Sequence, residues 1–305
     1  MDALKQRLNS DFVPEWAAVG MLTLLAGLWA FHIQLQLTHG QNILGPVALL
    51  FGTTLLLRAF SFRRGGLIVE YLALSCAVST AVCALSYLSL ASSQTLVDGQ
   101  LMAMDRALGF DWLAGYNFVQ SHPALSAVLG FAYDSLIYQG LYFGLLLGLM
   151  NDRLRLKQMF WLVLVSGSLA CLGALLLPVL GPSKLFNIQT DSGFVPVMEH
   201  LLSGRDKSFS LSGMTGVISF PSFHTSMALA YIWAFRKTGV IGWAVTGLNL
   251  VMLCAVPWFG GHYLVDMIAG AVTMLVSLAA IKTAPLLWEK FLGALAAPKP
   301  AQASA

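Results

Sequence analysis

The sequence predicts an all-α fold, a polytopic membrane bundle of about eight transmembrane helices with short interfacial helices on its outer face. Three observations point there. The 305 residues are 57% hydrophobic and only 10% charged, with a mean hydropathy of +0.75, which leaves too little polar surface for an ordinary water-soluble globule. Apolar runs of about 20 residues recur, each long enough to cross a hydrocarbon core of roughly 30 Å as a helix. Basic residues fall in alternate connections between those runs, as cytoplasmic loops do. Backbone groups in lipid must pair within their own element, and the alternation of a membrane β-barrel is absent, so helices are expected.

The first run, 12–37, follows Lys5 and Arg7. Asp2, Asp11 and Glu15 interrupt the opening, and the run is too long for the core of a cleaved signal, so it is expected to persist as a span. The second run, 43–60, ends among Arg58, Arg63 and Arg64, and the third, 67–91, carries Glu70 near its inner start, solvated or paired with Arg58 or Arg64. The connection after it is long. Over 96–118 it mixes Met102, Leu108, Phe110, Trp112 and Phe118 with Asp98, Asp105, Arg106 and Asp111, an amphipathic segment suited to a membrane interface.

The fourth run, 123–150, holds Asp134 about midway, beside Tyr133. An ionisable group inside a span pairs with a partner or lines a site, and both readings stay open. Arg153, Arg155 and Lys157 precede the fifth run, 158–180. A connection over 181–219 follows, with a second short amphipathic stretch at 195–202 and three cations, Lys184, Arg205 and Lys207, that either bind an anion or are simply solvated. The sixth, seventh and eighth runs are 220–235, 240–259 and 262–281, with Arg236 and Lys237 after the sixth and Lys282 and Lys290 after the eighth. The Pro/Ala-rich tail from 296 is expected to be disordered.

Three regions result: N-terminal spans and the outer interfacial segment over 1–122, a site-bearing bundle over 123–285, and a cytoplasmic tail, partly disordered, over 286–305. The basic connections place both termini in the cytoplasm of an inner or plasma membrane, so 92–122, 181–219 and 260–261 face the periplasm or exterior. A net charge of +3, from 17 basic and 14 acidic residues, argues against nucleic acid as a partner. The four cysteines lie in apolar runs with no CxxC pair and read as small core residues. His32, His39, His122 and His200 have no partner at a useful spacing.

Two stretches carry chemistry. Phe220-Pro221-Ser222-Phe223-His224-Thr225-Ser226 opens the sixth span, and Gly260-Gly261-His262-Tyr263-Leu264-Val265-Asp266 opens the eighth, both at the outer surface. His262 and Asp266 are four apart, so on a helix they share a face, and the carboxylate can orient the imidazole and leave its other nitrogen free to attack phosphorus. His224 is placed to protonate a departing oxygen. Pro221 suits a helix start, where unpaired N–H groups and the helix dipole favour phosphate.

Pro-Ser-x-His followed by His-x-x-x-Asp, both at outer helix starts, resembles the type 2 phosphatidic acid phosphatase superfamily over roughly 177–270. The resemblance implies a phosphohistidine intermediate on His262, Asp266 as its partner, His224 as general acid, and no metal or other cofactor. The family's phosphatase branch carries an arginine six positions before the nucleophile, which is Val256 here, and a glycine where this chain has Phe223. Its Lys-x6-Arg-Pro element corresponds to Leu177-Pro178-Val179-Leu180-Gly181-Pro182-Ser183-Lys184. With these departures the chain looks more like the branch of inositol phosphorylceramide synthases, which move a phosphoalcohol between a lipid and an alcohol acceptor. A phosphodiester bears one charge fewer than a monoester and needs fewer cations.

The expected function is therefore a lipid phosphotransferase or phosphatase acting at the outer leaflet, with head-group transfer favoured and hydrolysis to water as the alternative. Its partners are a lipid phosphoester, a lipid or polyol acceptor, and membrane lipids. The catalytic candidates are His262, Asp266 and His224; the substrate-binding candidates are Ser222, Phe223, Gly261, Lys184, Arg205, Lys207 and Asp134. Two other classes compete: a zinc hydrolase using the two histidines and the aspartate, and a transporter built around Asp134.

Overall fold

A computed structural model describes residues 11–38, 41–93, 95–188, 194–203, 208–210 and 216–296. Among them run twelve helices: α1 (Val13–His32), α2 (Gln41–Ala59), α3 (Arg63–Ser92), α4 (Asp98–Ala107), α5 (Trp112–Gln120), α6 (Pro123–Leu149), α7 (Arg153–Leu176), α8 (Pro182–Leu185), α9 (Phe194–Ser203), α10 (Phe223–Phe235), α11 (Val240–Phe259) and α12 (Leu264–Ala296). Apart from connecting turns and loops, the described residues outside the helices form one parallel pair of three-residue strands, β1 (Gln36–Thr38) and β2 (Ser208–Ser210).

Local chemistry sets the helix starts. Pro123 opens α6 from the first turn, where its missing N–H costs nothing. The Asp111 carboxylate accepts from the Ala114 N–H at 3.0 Å to start α5, and Asp152 accepts from the Arg155 N–H at 3.1 Å to start α7. Gly109, at φ +76°, and the Asp111 cap divide what the sequence reading took as one amphipathic segment into α4 and α5.

Five helices are long and apolar enough to cross a membrane: Val13–His32, Arg63–Ser92, Arg153–Leu176, Val240–Phe259 and Leu264–Ala284. They coincide with the first, third, fifth, seventh and eighth predicted spans. The second span corresponds to a shorter apolar stretch, Gly45–Ala59. The fourth is α6, 27 residues long, whose middle is made polar by Asp134, Ser135 and Gln139. The sixth is α10, whose 13 residues reach only about 20 Å at a rise of ~1.5 Å each.

Being short, α10 is enclosed: α6, α7, α11 and α12 all pack on it, and Thr225 through Ala228, Ala230, Tyr231, Ala234 and Phe235 are buried. Small residues let neighbouring backbones close in. A side chain at Gly270 of α12 would strike the Ser222 carbonyl oxygen at 2.3 Å, and one at Gly173 of α7 would strike Pro221 at 2.2 Å. The Pro-Ser-Phe-His stretch is thus wedged between α7 and α12. The main core joins α3, α6, α7 and α10 through Tyr71, Leu74, Phe143, Leu147, Phe160, Met227 and Tyr231.

At the opposite end of the bundle, Glu70 pairs with Arg58, which also reaches Asp11 at 3.0 Å, and Arg153 binds Asp11 at 2.7 Å. None of the four cysteines forms a disulfide; Cys171 is buried as expected, Cys76 and Cys83 are half-buried, and Cys254 is exposed rather than a core residue. Asp134, expected to need a partner inside a span, is exposed on α6.

Candidate active site

The α12 start shows how the nucleophile segment is held. Asp266 lies in the first turn, and its Oδ2 accepts from the Tyr263 N–H at 2.9 Å, the back-reaching half of a capping box. The same Oδ2 lies 3.4 Å from Nδ1 of His262. His262 itself precedes the helix, which begins at Leu264, so the pair meets through this cap rather than across one helical face as the four-residue spacing suggested. Gly261, at φ +59°, makes the turn that brings the imidazole back over the carboxylate.

Both side chains are almost wholly buried, 3% exposed for His262 and 0% for Asp266. Nδ1 of His262 and Oδ1 of Asp266 have no aligned hydrogen bond, a looseness common before substrate tightens a catalytic pair. His262 borders a cavity of about 410 Å³.

From α10, His224 borders the same cavity, with its ring centroid 6.2 Å from that of His262. Tyr133 of α6 stacks on His224 at 4.4 Å and 11°, fixing the ring plane. Ser222 caps α10 through the Thr225 N–H at 3.3 Å, and its own N–H donates to the Asp266 carbonyl at 3.0 Å. Ser226 Oγ adds a bond to the Gly270 carbonyl at 2.7 Å. The two histidine segments are therefore tied to each other by two hydrogen bonds, Ser222 N–H to the Asp266 carbonyl and Ser226 Oγ to the Gly270 carbonyl. Helix geometry leaves the N–H groups of Phe223 and His224 without partners inside α10, facing a position an anion can occupy.

Beyond the histidines the cavity runs between α3, α6 and α7, past Val82, Cys83, Leu136, Ile137 and Val163. Its walls are mostly apolar, with Ser79, Thr80, Ser86 and Ser219 among the polar groups and, among the described residues, no Lys or Arg in the lining. Ile137 is 74% exposed, so α6 supplies a wall that faces outward from the bundle.

The remaining candidates divide. Phe223 lines the cavity, and Ser222 and Gly261 hold its backbone. Lys184 is instead in an exposed ion pair with Glu199 at 2.6 Å, and Asp134 is not part of the lining. Arg205 and Lys207 lie outside the described residues. Among the described residues, no three His, Cys, Asp or Glu side chains converge closely enough to hold a metal ion, so the zinc reading finds no donor set there.

Sequence reasoning missed two acidic residues of α4. Asp105 accepts from the Leu264 N–H at 2.8 Å and the Val265 N–H at 3.0 Å. Asp98 accepts from Gly181 N–H at 2.8 Å, Leu180 N–H at 3.1 Å and the Tyr263 hydroxyl at 3.1 Å. Burial pushes the Asp105 carboxyl above the usual carboxylate range, an effect the two N–H bonds only partly offset. Both had been read as the solvated side of an interfacial segment; the available signal was that, about two helical turns apart, they share one face. Tyr133 was noted only as a neighbour of Asp134.

A family model described as the PAP2 superfamily matches residues 99–280. The match reaches back beyond the two histidine stretches to take in α5 and nearly all of α4. No curated protein and no solved structure matches the chain.

Proposed function

The chain belongs to the PAP2 superfamily, and from that premise we propose that it is a membrane-embedded lipid phosphotransferase in which His262 is the nucleophile and head-group transfer is favoured over hydrolysis. Membership itself supports a phosphatase or phosphotransferase type of activity. The observation that carries the residue assignment is the convergence of His262 and His224 on one cavity, with the Asp266 carboxylate 3.4 Å from Nδ1 of His262.

In this mechanism Nε2 of His262 attacks phosphorus, an N–P bond forms, and the P–O bond to the leaving alcohol breaks as His224 delivers a proton to that oxygen. Asp266 holds the Nδ1–H and stabilises the cation that develops on the ring. In the second half an acceptor hydroxyl attacks phosphorus, His224 takes its proton, and the N–P bond breaks. Water or an alcohol serves equally well in that step. Pocket shape chooses between them.

Transfer of a phosphodiester is supported by charge. Among the described residues the cavity lining has no Lys or Arg, Lys184 is neutralised by Glu199, and Val256 and Phe223 stand where the phosphatase branch has arginine and glycine. A site this poor in cations suits a singly charged diester better than a doubly charged monoester. The apolar walls between α3, α6 and α7 suit a lipid chain. Arg205 and Lys207 would close over the head group from the outer loop.

The eight-span arrangement, with α6 and α10 among the spans, α4, α5 and α9 at the outer interface and both termini cytoplasmic, belongs to the same proposal and is supported by the alternation of basic connections. The test is product analysis of the purified protein in liposomes, with labelled phospholipid donors, chelator present, and diacylglycerol, ceramide or inositol-type acceptors added in turn. Acceptor-dependent head-group transfer is the expected result. Phosphate or phosphoalcohol released whatever acceptor is present makes the protein a hydrolase.

A further inference from the structure

In α4, Asp98 and Asp105 form five hydrogen bonds to two segments that are far apart in sequence and adjacent at the site. One segment is 180–181, the other 263–265. The segments already touch, because Gly181 approaches so closely that a side chain there would lie 2.4 Å from the Gly261 carbonyl oxygen. Between the two carboxylates Leu101 and Met102 pack on Val179, Tyr263 and Val265, and the Val97 N–H reaches the Pro178 carbonyl at 3.1 Å. Asp105 and Tyr263 are 0% exposed.

The N-terminal donors of α12 are consequently spoken for. The N–H groups of Leu264 and Val265 go to Asp105, that of Tyr263 goes to Asp266, and that of Asp266 returns to the Tyr263 carbonyl at 3.2 Å. A helix N-terminus left open would attract a phosphate. Here a carboxylate from another helix occupies it, so α12 presents His262 while the open helix start in the site is that of α10.

We propose that Asp98 and Asp105 are positioning residues for the phosphoryl-transfer step, making α4 a splint that holds the His262 segment against 180–181 and aims its imidazole at the bound phosphorus. Neither touches substrate. The role presupposes His262 as the nucleophile. Its energetic basis is that carboxylate-to-N–H bonds inside a buried site are stronger than neutral ones, and that a misplacement of about 1 Å in a reacting group costs roughly 100-fold in rate.

The test compares wild type, Asp105→Asn, Asp105→Ala, Asp98→Asn, Tyr263→Phe and the Asp98→Asn/Tyr263→Phe double variant. Each is purified as the folded, monodisperse full chain, with kcat, KM and melting temperature measured on the lipid donor identified by product analysis. The expected result is a fall in kcat of about 100-fold for Asp105→Ala with KM held within about threefold, because alignment is lost while binding is kept. Asp105→Asn keeps one acceptor oxygen for the N–H pair and recovers at least about tenfold of that loss. Tyr263→Phe deletes one hydroxyl without changing the packing, lowers kcat by about threefold to tenfold, and is non-additive with Asp98→Asn.

Should Asp105→Ala not fold, the Asn and Phe variants carry the comparison. Unchanged kcat in them overturns the proposal, as does a rise in KM alone. So does a loss of activity that merely tracks melting temperature, with Asn no better than Ala. Turnover in wild type that persists in His262→Ala overturns the nucleophile assignment instead, a failure distinct from His262-dependent turnover that ignores Asp98 and Asp105.

Discussion

Replacing Gly181 by alanine would put a methyl group 2.4 Å from the Gly261 carbonyl oxygen, within the turn that presents His262. Ordinary contact for such a pair is roughly 3.5 Å, so one of the two backbones must retreat by about 1 Å. With φ +96° and ψ 163°, Gly181 occupies a region essentially reserved for glycine, which adds about 1–3 kcal/mol of strain for any residue with a Cβ. The opposing atom is backbone, so no side-chain rotation can relieve the clash, and the displacement passes directly to Gly261 and His262. A shift of that size at a reacting group predicts a fall in kcat of roughly 100-fold. The assay is steady-state turnover of detergent-purified protein, normalised to the folded fraction by size exclusion. Gly247→Ala in α11, where a new Cβ meets nothing within 4 Å, is the control, expected to leave kcat unchanged and to stabilise by about 0.5–1 kcal/mol. A Gly181→Ala protein whose kcat stays within about twofold of wild type would refute the idea that this contact sets the nucleophile's position.

Other outcomes follow from the same geometry. Asp266→Asn keeps the shape of the buried pair but removes the charge that stabilises the imidazolium, so kcat should drop by roughly 10³–10⁴-fold with the melting temperature little changed; a drop under tenfold would remove Asp266 from the mechanism. Ser222→Ala deletes the α10 cap and should cost about 1 kcal/mol of stability, read as a lowered melting temperature. Arg58→Met leaves Glu70 buried without its cation and should destabilise by about 3–5 kcal/mol, with Arg58→Met/Glu70→Leu recovering much of the loss. Equal melting temperatures for the single and double variants would show that the pair is not coupled.

Much of this was legible in the sequence because membrane helices announce themselves by length and apolarity. Five of the expected spans coincide with helices that meet both conditions, whereas those expected over 123–150 and 220–235 correspond to α6, polar in its middle, and α10, 13 residues long, which do not. The histidine stretches were legible because each motif is local: Pro221, Ser222 and His224 lie within four residues, and His262 and Asp266 within five. What was not legible depends on distant segments meeting. Nothing in a single sequence links Asp105 to Leu264 or Asp98 to Gly181, so α4 read as a surface feature. Tyr133 is similar, since its value lies in stacking on His224 from a different helix. Lys184 shows the converse: a cation near the motif in sequence, but paired with Glu199 in space.

The central claim is that phosphorus passes through His262. Rapid quench of the protein with a phospholipid donor, at alkaline pH where phosphohistidine survives, followed by peptide mass spectrometry, tests it most directly. The account predicts a phosphoryl or phosphoalcohol adduct on the peptide containing His262, formed and lost at rates consistent with turnover, and absent from His262→Ala. An adduct on another residue, or full turnover by His262→Ala, would contradict it.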